Sequence, residues 1–221
     1  MEQKLKEIRV QLRRLMNGVV VQSMREQGIV YKFNFGVPLP DIKALASTLE
    51  KDEAFAKRLW HENVRELKIL ATLLYPHEKF SKETADLWIR EITHQEIAEQ
   101  LCINILRYLP FANELASSWI CQKEELIQIT GFLLQSRLFK AGHTITDEQS
   151  EVLLKNAKLI LDEGVSRRQR AAISALKSSG RNNRSQANIT LEYLKDYKNH
   201  DSKEKQEFYN DLVFEFDFFG E

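Results

Sequence analysis

Phe55-Ala-Lys-Arg-Leu-Trp60, Thr84-Ala-Asp-Leu-Trp88 and Glu114-Leu-Ala-Ser-Ser-Trp119 each stand just before a strongly apolar stretch. Those stretches read Arg65-Glu-Leu-Lys-Ile-Leu-Ala-Thr-Leu-Leu-Tyr-Pro76, Glu96-Ile-Ala-Glu-Gln-Leu-Cys-Ile-Asn-Ile-Leu-Arg-Tyr-Leu-Pro110 and Glu125-Leu-Ile-Gln-Ile-Thr-Gly-Phe-Leu-Leu-Gln135. Tryptophans roughly thirty residues apart, each closing one helix before the next begins, are the pattern of stacked helical hairpins.

The fold class expected is therefore all-α: an α-α superhelix, or solenoid, of HEAT-like helical hairpin repeats. A hairpin that hides only one face cannot stand alone, so residues 1–221 are expected to form one cooperative repeat domain. Working outward, the periodicity predicts a helix from about Gln3 to Met16, broken at Asn17-Gly18, then Val19 to Glu26, ended by Gly28. Tyr31-Lys-Phe-Asn-Phe-Gly-Val-Pro-Leu-Pro40 cannot continue a helix and reads as a packed connection. Helices follow near 41–50, 52–61, 63–75, 81–91, 94–109, 111–121, 123–139, 147–163, 165–178, 185–198 and 202–215. Ser81 with Thr84, Thr93 with Glu96 and Thr146 with Gln149 resemble capping boxes. Val213 to Phe219 alternates with period two and is expected to be an aromatic tail docked on the last repeat, with a short strand as the alternative.

Composition excludes several classes. Lys+Arg and Asp+Glu both number 32, so overall charge gives no argument for nucleic acid and any such argument rests on where the charges sit. Cys102 and Cys121 fall in apolar helical stretches without metal-ligand spacing and read as buried free thiols. The N-terminus lacks the apolar core of a secretory signal, and no stretch approaches a membrane span. A cytoplasmic protein is expected. There is no Gly-rich phosphate loop, no His-Glu-x-x-His and no nucleophile elbow, and nothing in the sequence calls for a cofactor or a metal.

Gly164 to Arg184 is the anomalous charge block: Arg167, Arg168, Arg170, Lys177, Arg181 and Arg184 occur without one carboxylate. Arg167 and Arg170 fall in a first helical turn, where the helix dipole prefers acids. The block reads either as a grip on a nucleic-acid backbone or as a solvated basic face. It contains no aromatic residue for stacking on single-stranded bases. The acidic, aromatic segment from Glu204 to Glu221 either repels nucleic acid or pairs with these cations internally. In the helix beginning at Glu96, a core stripe of Ile97, Leu101 and Ile105 leaves Glu96 and Glu99 together on a polar side. Glu99 is then either a semi-buried carboxylate able to stabilise a developing positive charge or an ordinary surface glutamate.

Phe33-Asn-Phe-Gly-Val37 followed by Pro40, Ile42 and Ala46, then Leu59-Trp60 followed by Arg65-Glu66-Leu67 and Ala71, resemble the DNA alkylation repair family, alkylpurine DNA glycosylases built from HEAT-like repeats. Ile92-Thr-His-Gln-Glu-Ile-Ala-Glu-Gln-Leu-Cys102 occupies the place of that family's Trp-Asp-x-x-Asp-like segment. The resemblance implies double-stranded DNA held in a concave basic groove and hydrolysis of the N-glycosidic bond of N3- or N7-alkylated purines. Glu99 falls at the catalytic aspartate, and the cations from Arg167 to Arg184 become DNA-backbone contacts. The groove tryptophan falls at Gln95, the groove arginine of the next repeat at Ile129 and a later aromatic at Ser174, so those pocket residues are replaced here. Three readings result: a repair glycosylase acting through Glu99, a non-catalytic DNA-binding repeat protein recognising DNA shape, and a protein-interaction scaffold. The expected partner is duplex DNA; no membrane association and no obligate protein partner are expected.

Overall fold

The computed structural model describes residues 1–164 and 166–219, with the side chains of Asn182 and Phe219 outside the description. These residues form two compact units, Met1–Leu109 and Pro110–Glu221. The first holds α1 (Glu2–Arg14), α2 (Gly18–Glu26), α3 (Leu39–Ser47), α4 (Glu53–Trp60), α5 (Arg65–Leu74), α6 (Lys82–Arg90) and α7 (Gln95–Asn104). The second holds α8 (Ala112–Ile120), α9 (Glu125–Lys140), α10 (Asp147–Glu163), α11 (Arg167–Asn182), α12 (Arg184–Tyr193) and α13 (Lys203–Phe219). Among the described residues there is no strand, only an isolated bridge between Phe33 and Val64, and no helix is long and apolar enough to cross a membrane.

In the N-terminal unit α5 is the central helix, packed against α3, α4 and α7. Leu67, Ile69, Leu70, Ala71 and Leu74 of α5 are all buried, as a helix flanked on several sides requires. Trp60 and Trp88, which close α4 and α6, stack face to face at 3.9 Å and 4°. Asn17 ends the first helical run and caps the next, its side chain accepting from the N–H groups of Val19 and Val20 at 3.1 and 3.2 Å.

The packed connection runs from Tyr31 to Pro38, and α3 starts at Leu39, earlier than expected, because Pro40 falls in the first helical turn, where its missing N–H is tolerated. Gly36 adopts φ 70°, and a Cβ there would lie 2.2 Å from the Asn17 carbonyl oxygen. The strap is held by Glu66, which is fully buried and accepts from the backbone N–H groups of Phe35 and Val37, both at 3.2 Å. Arg65 donates to the Val37 carbonyl at 2.9 Å, and its own N–H reaches the Phe33 carbonyl at 3.2 Å. Phe33 to Val37 and Arg65-Glu66 are thus two halves of one structural staple.

In the C-terminal unit α11 lies at the centre, against α9, α10, α12 and α13. Two close approaches depend on glycine. A Cβ on Gly131 would sit 2.6 Å from the Ile120 backbone nitrogen and 2.9 Å from the Ala116 carbonyl oxygen, where α8 meets α9. A Cβ on Gly180 would sit 2.2 Å from the Phe216 ring, which α13 lays on α11. Gly131→Ala meets backbone rather than a movable side chain and is expected to destabilise by about 1–3 kcal/mol, read as a lower urea midpoint at unchanged slope.

Several boundaries differ from expectation. The helix predicted over 94–109 stops at Asn104 and gives way to a 3₁₀ turn over Leu106–Tyr108. Pro110 disfavours helical backbone at Leu109, which is extended at ψ 139°. The helix predicted over 185–198 likewise passes into a 3₁₀ turn at Lys195–Asn199. The Thr146–Gln149 capping box forms, and Ser81 caps α6, but Thr93 and Glu96 make no such pair. His94 precedes α7 instead, and Glu96 turns to Arg65 and Tyr31. The chain from Val213 to Phe219 is neither a strand nor an irregular tail but the end of α13, and it docks on the preceding helices as expected. Leu212 and Phe216 enter the core, and Phe214 and Phe218 stack outside at 6.1 Å. Cys102 is buried as expected, whereas Cys121, just past the end of α8, is exposed.

Candidate functional site

The carboxylates of α7 serve different ends. Glu96, on the first turn, accepts from Arg65 Nε and Nη2 at 2.8 and 2.5 Å and from the Tyr31 hydroxyl at 2.8 Å. Tyr31 stacks on His94 at 3.8 Å, and the His94 ring nitrogen Nε2 lies 3.0 Å from the Val30 carbonyl oxygen. Arg65 is 5% exposed, so this is a charge pair with one partner buried and the other half-buried. Burial pulls the Glu96 carboxyl upward, but the Arg65 hydrogen bonds and charge, with the Tyr31 hydroxyl, outweigh it and hold it below the ordinary carboxylate range. Burial, then the Glu96 charge, drives the Tyr31 hydroxyl well above its usual value, so it stays protonated and donates.

Glu99, the sequence candidate for catalysis, is half-buried one turn further on. It accepts from the side-chain amide of Gln95 at 2.9 Å, an i,i+4 pair along α7. The residue where the resemblance places a groove tryptophan therefore supplies a hydrogen-bond donor to the carboxylate. Sequence reasoning grouped Glu96 with Glu99 on a polar face. The structure separates them, one cross-linking three segments and the other bonded along its own helix.

The basic block forms α11 and the start of α12, with Ser166 capping α11 through the Gln169 N–H at 3.1 Å. Most of its cations have carboxylates supplied by other helices. Arg167 meets Glu125 at 2.9 Å, Arg168 meets Glu163 at 2.8 Å, and Arg184 meets Asp217 at 3.2 Å as well as the Phe216 carbonyl at 3.0 Å. Lys177 at 2.8 Å and Arg181 share Glu215, whose side chain is only 9% exposed. Arg170 is exposed and has no ion pair among the described residues. The acidic α13 thus pairs with part of the block. The Arg167, Arg168 and Arg184 pairs are surface contacts, worth at most about 1 kcal/mol each, so a phosphate can take those guanidiniums at little cost. Lys177 and Arg181 are committed to a buried acid.

Two further positions are informative. Ile129 is fully buried in the core of the C-terminal unit, so no groove residue stands there. Ser174 lies against Ser136, their hydroxyls 3.1 Å apart, where α9 packs on α11. It occupies a tight helix contact that an aromatic ring would not fit.

The family model for DNA alkylation repair enzymes matches residues 8–210. The chain belongs to the DNA alkylation repair enzyme family. No curated protein matches it in sequence. A solved structure described as a new family of proteins related to the HEAT-like repeat DNA glycosylases, with affinity for branched DNA structures, is similar in fold: TM-score 0.74 at 17% identity, covering 86% of this chain and 81% of the other. In this DNA alkylation repair family member, the residues that carried the resemblance, Phe33 to Val37 with Arg65 and Glu66, secure the strap and α5 rather than line a site.

Proposed function

We propose that this family member binds DNA through its phosphates, recognising branched or bent structure, and does not hydrolyse the N-glycosidic bond. The hydrogen bond from Gln95 to Glu99 carries this reading. It sets, where a ring against which a base could lie is expected, an amide that hydrogen-bonds one oxygen of the carboxylate. The affinity for branched DNA described for the structural relative supports the same choice. Arg167, Arg168, Arg170 and Arg184 are the phosphate contacts in this reading, with Lys177 and Arg181 shaping the surface through Glu215. The cytoplasm is the compartment it assumes.

Binding of this kind weakens linearly in log K against log salt. A four-way junction is expected to bind more tightly than linear duplex of the same length. Changing Arg167, Arg168 and Arg170 together to alanine is expected to lower the slope by roughly 1–3, about one for each phosphate the protein no longer neutralises. Affinity that ignores salt, or a triple variant that binds as the wild type does, would refute the reading.

Hydrolysis through Glu99 is the second reading, favoured by a half-buried carboxylate at the aspartate's position. An alkylated purine carries positive charge, its bond to the sugar is weakened, and a nearby carboxylate stabilises the oxocarbenium-like transition state. Release of N7- or N3-methylated base from treated duplex is expected to equal spontaneous depurination for both wild type and Glu99→Gln. Wild-type release above that level, abolished in the variant, would transfer the assignment to hydrolysis.

A further inference from the structure

We infer that the N-terminal unit carries a second anion site, a pocket formed by Lys43, Lys51, His77 and Arg107 that takes a phosphate group, either a DNA phosphodiester or free phosphate. The cavity has a volume of about 530 Å³, within the range of ligand pockets. Asn104, Tyr108 and two aliphatic side chains complete its wall, and no carboxylate is among the lining residues.

Arg9, Lys57 and Arg58 each have a glutamate partner, in a chain whose acids and bases balance. Lys43 and Lys51 are exposed and have no ion pair among the described residues. Three cations converging without an acid repel one another, and a bound anion relieves that repulsion. Beside the lining, the Glu78 carboxylate lies 3.4 Å from His77 Nε2, and its side chain is 68% exposed.

A second observation points to a missing acceptor. Arg107 Nε is buried and has no hydrogen-bond partner among the described residues. Such orphaned donors are rare in folded proteins, and a phosphate oxygen satisfies this one with a charge-assisted bond once the Arg107 side chain turns Nε toward the cavity. The guanidinium borders the cavity, where its Nη2 donates to the Tyr108 hydroxyl and the Tyr108 ring stacks on His77 at 4.9 Å and 22°. The Asn104 amide is already engaged, donating to Thr72 at 2.8 Å, so it braces the wall and leaves phosphate contact to the cations.

The phosphodiester form of the inference rests on the DNA-binding reading; the anion site does not. The test therefore has two arms, using Lys43→Ala/Lys51→Ala and, as control, Lys198→Ala/Lys203→Ala from exposed positions of the C-terminal unit. In the first arm, the melting midpoint is compared in inorganic phosphate and in chloride at matched ionic strength. Phosphate is expected to raise the midpoint of wild type and control by clearly more than that of the pocket variant, which keeps the cations from Arg167 to Arg184. In the second, junction affinity is measured against salt. The pocket variant is expected to lose roughly 1–2 from the slope and bind about 3- to 30-fold more weakly, with the control near wild type.

Junction binding by the wild type with an unchanged pocket variant in both arms overturns the pocket and spares the DNA reading. Lysine-dependent stabilisation by phosphate with no junction binding supports the pocket with free phosphate as its ligand, and overturns the DNA reading. No lysine-dependent response in either arm overturns the pocket. Arg107→Gln, which keeps a donor on a shorter neutral arm, is expected to reproduce the phosphate-arm loss.

Discussion

Arg65→Met is expected to lower folding stability by about 3–5 kcal/mol, because it leaves carboxylates buried without their cation. The guanidinium joins Glu96, Glu66 and the Val37 carbonyl, with Glu96 at 2.5 and 2.8 Å and Glu66 at 3.1 Å. Glu66 is fully buried and keeps its two backbone donors from the strap, so the loss falls chiefly on charge balance and on Glu96. Denaturant melts at neutral pH measure the effect, and the double variant Arg65→Met/Glu96→Gln supplies the contrast. If the charge pair is the cause, the double variant recovers part of the loss; equal instability of the single and double variants would show that packing of the long side chain was responsible.

The same pair fixes a pH dependence. The folded Glu96 carboxyl titrates below its unfolded value, so its contribution is full above the ordinary carboxylate range, near about 4.5, and is lost as pH falls through the lower folded value. In Arg65→Met the opposing cation is gone and burial, the largest influence on Glu96, is countered chiefly by the Tyr31 hydrogen bond, so its titration rises relative to wild type. Protonation then relieves the variant as the medium becomes acidic. The gap between wild type and variant is expected to be widest near neutrality and to shrink below about pH 4. A gap that stays constant across that window would count against the electrostatic account.

Trp60→Ala is expected to cost about 3–5 kcal/mol, the loss typical of truncating a fully buried aromatic. Trp60 is 0% exposed and stacks on Trp88, donates through Nε1 to Glu91 at 2.7 Å, and lies under the Lys68 ammonium at 4.4 Å from the ring. That ammonium also donates to the Trp60 carbonyl at 2.7 Å, and burial lowers its pKa. Trp60→Phe keeps a ring for Trp88 and Lys68 but loses the donor to Glu91, so a smaller loss is expected. Urea midpoints for the two substitutions rank the contributions; equal losses would mean that the indole N–H, rather than the stacked area, dominates.

The regular part of this architecture was legible because its signals are local. The Thr146–Gln149 box and Gly164 bound α10 at Asp147 and Glu163, the limits expected from sequence. Asn17 broke the first helical run because its side chain caps the next. The misreadings came from long-range partners. Thr93 and Glu96 have capping-box spacing, but a buried guanidinium from α5 offers Glu96 a stronger, two-pronged partner than a backbone N–H at an exposed helix start. The alternation from Val213 to Phe219 contains a period of four as well as two, so it suits a helix equally well. Only the core contacts of Leu212 and Phe216 decide between them.

The candidate site was less legible than the fold for the same reason. Arg167 to Arg184 could be found from sequence, but not the acids that α9, α10 and α13 bring to it. Glu99 was found, but its bond to Gln95 depends on side-chain conformation. The pocket of Lys43, Lys51, His77 and Arg107 draws on residues spread over more than two predicted helices, and no spacing rule joins them.

The three indoles are divided between the two units: Trp60 and Trp88 lie in the first, and Trp119 in the second. Intrinsic fluorescence can therefore be assigned by halves, since Trp119→Phe confines emission to the stacked pair of the first unit and the double variant Trp60→Phe/Trp88→Phe confines it to the second. Superimposable melting curves from the two variants would mark a chain that melts as a whole, while separated curves would give each half its own thermometer.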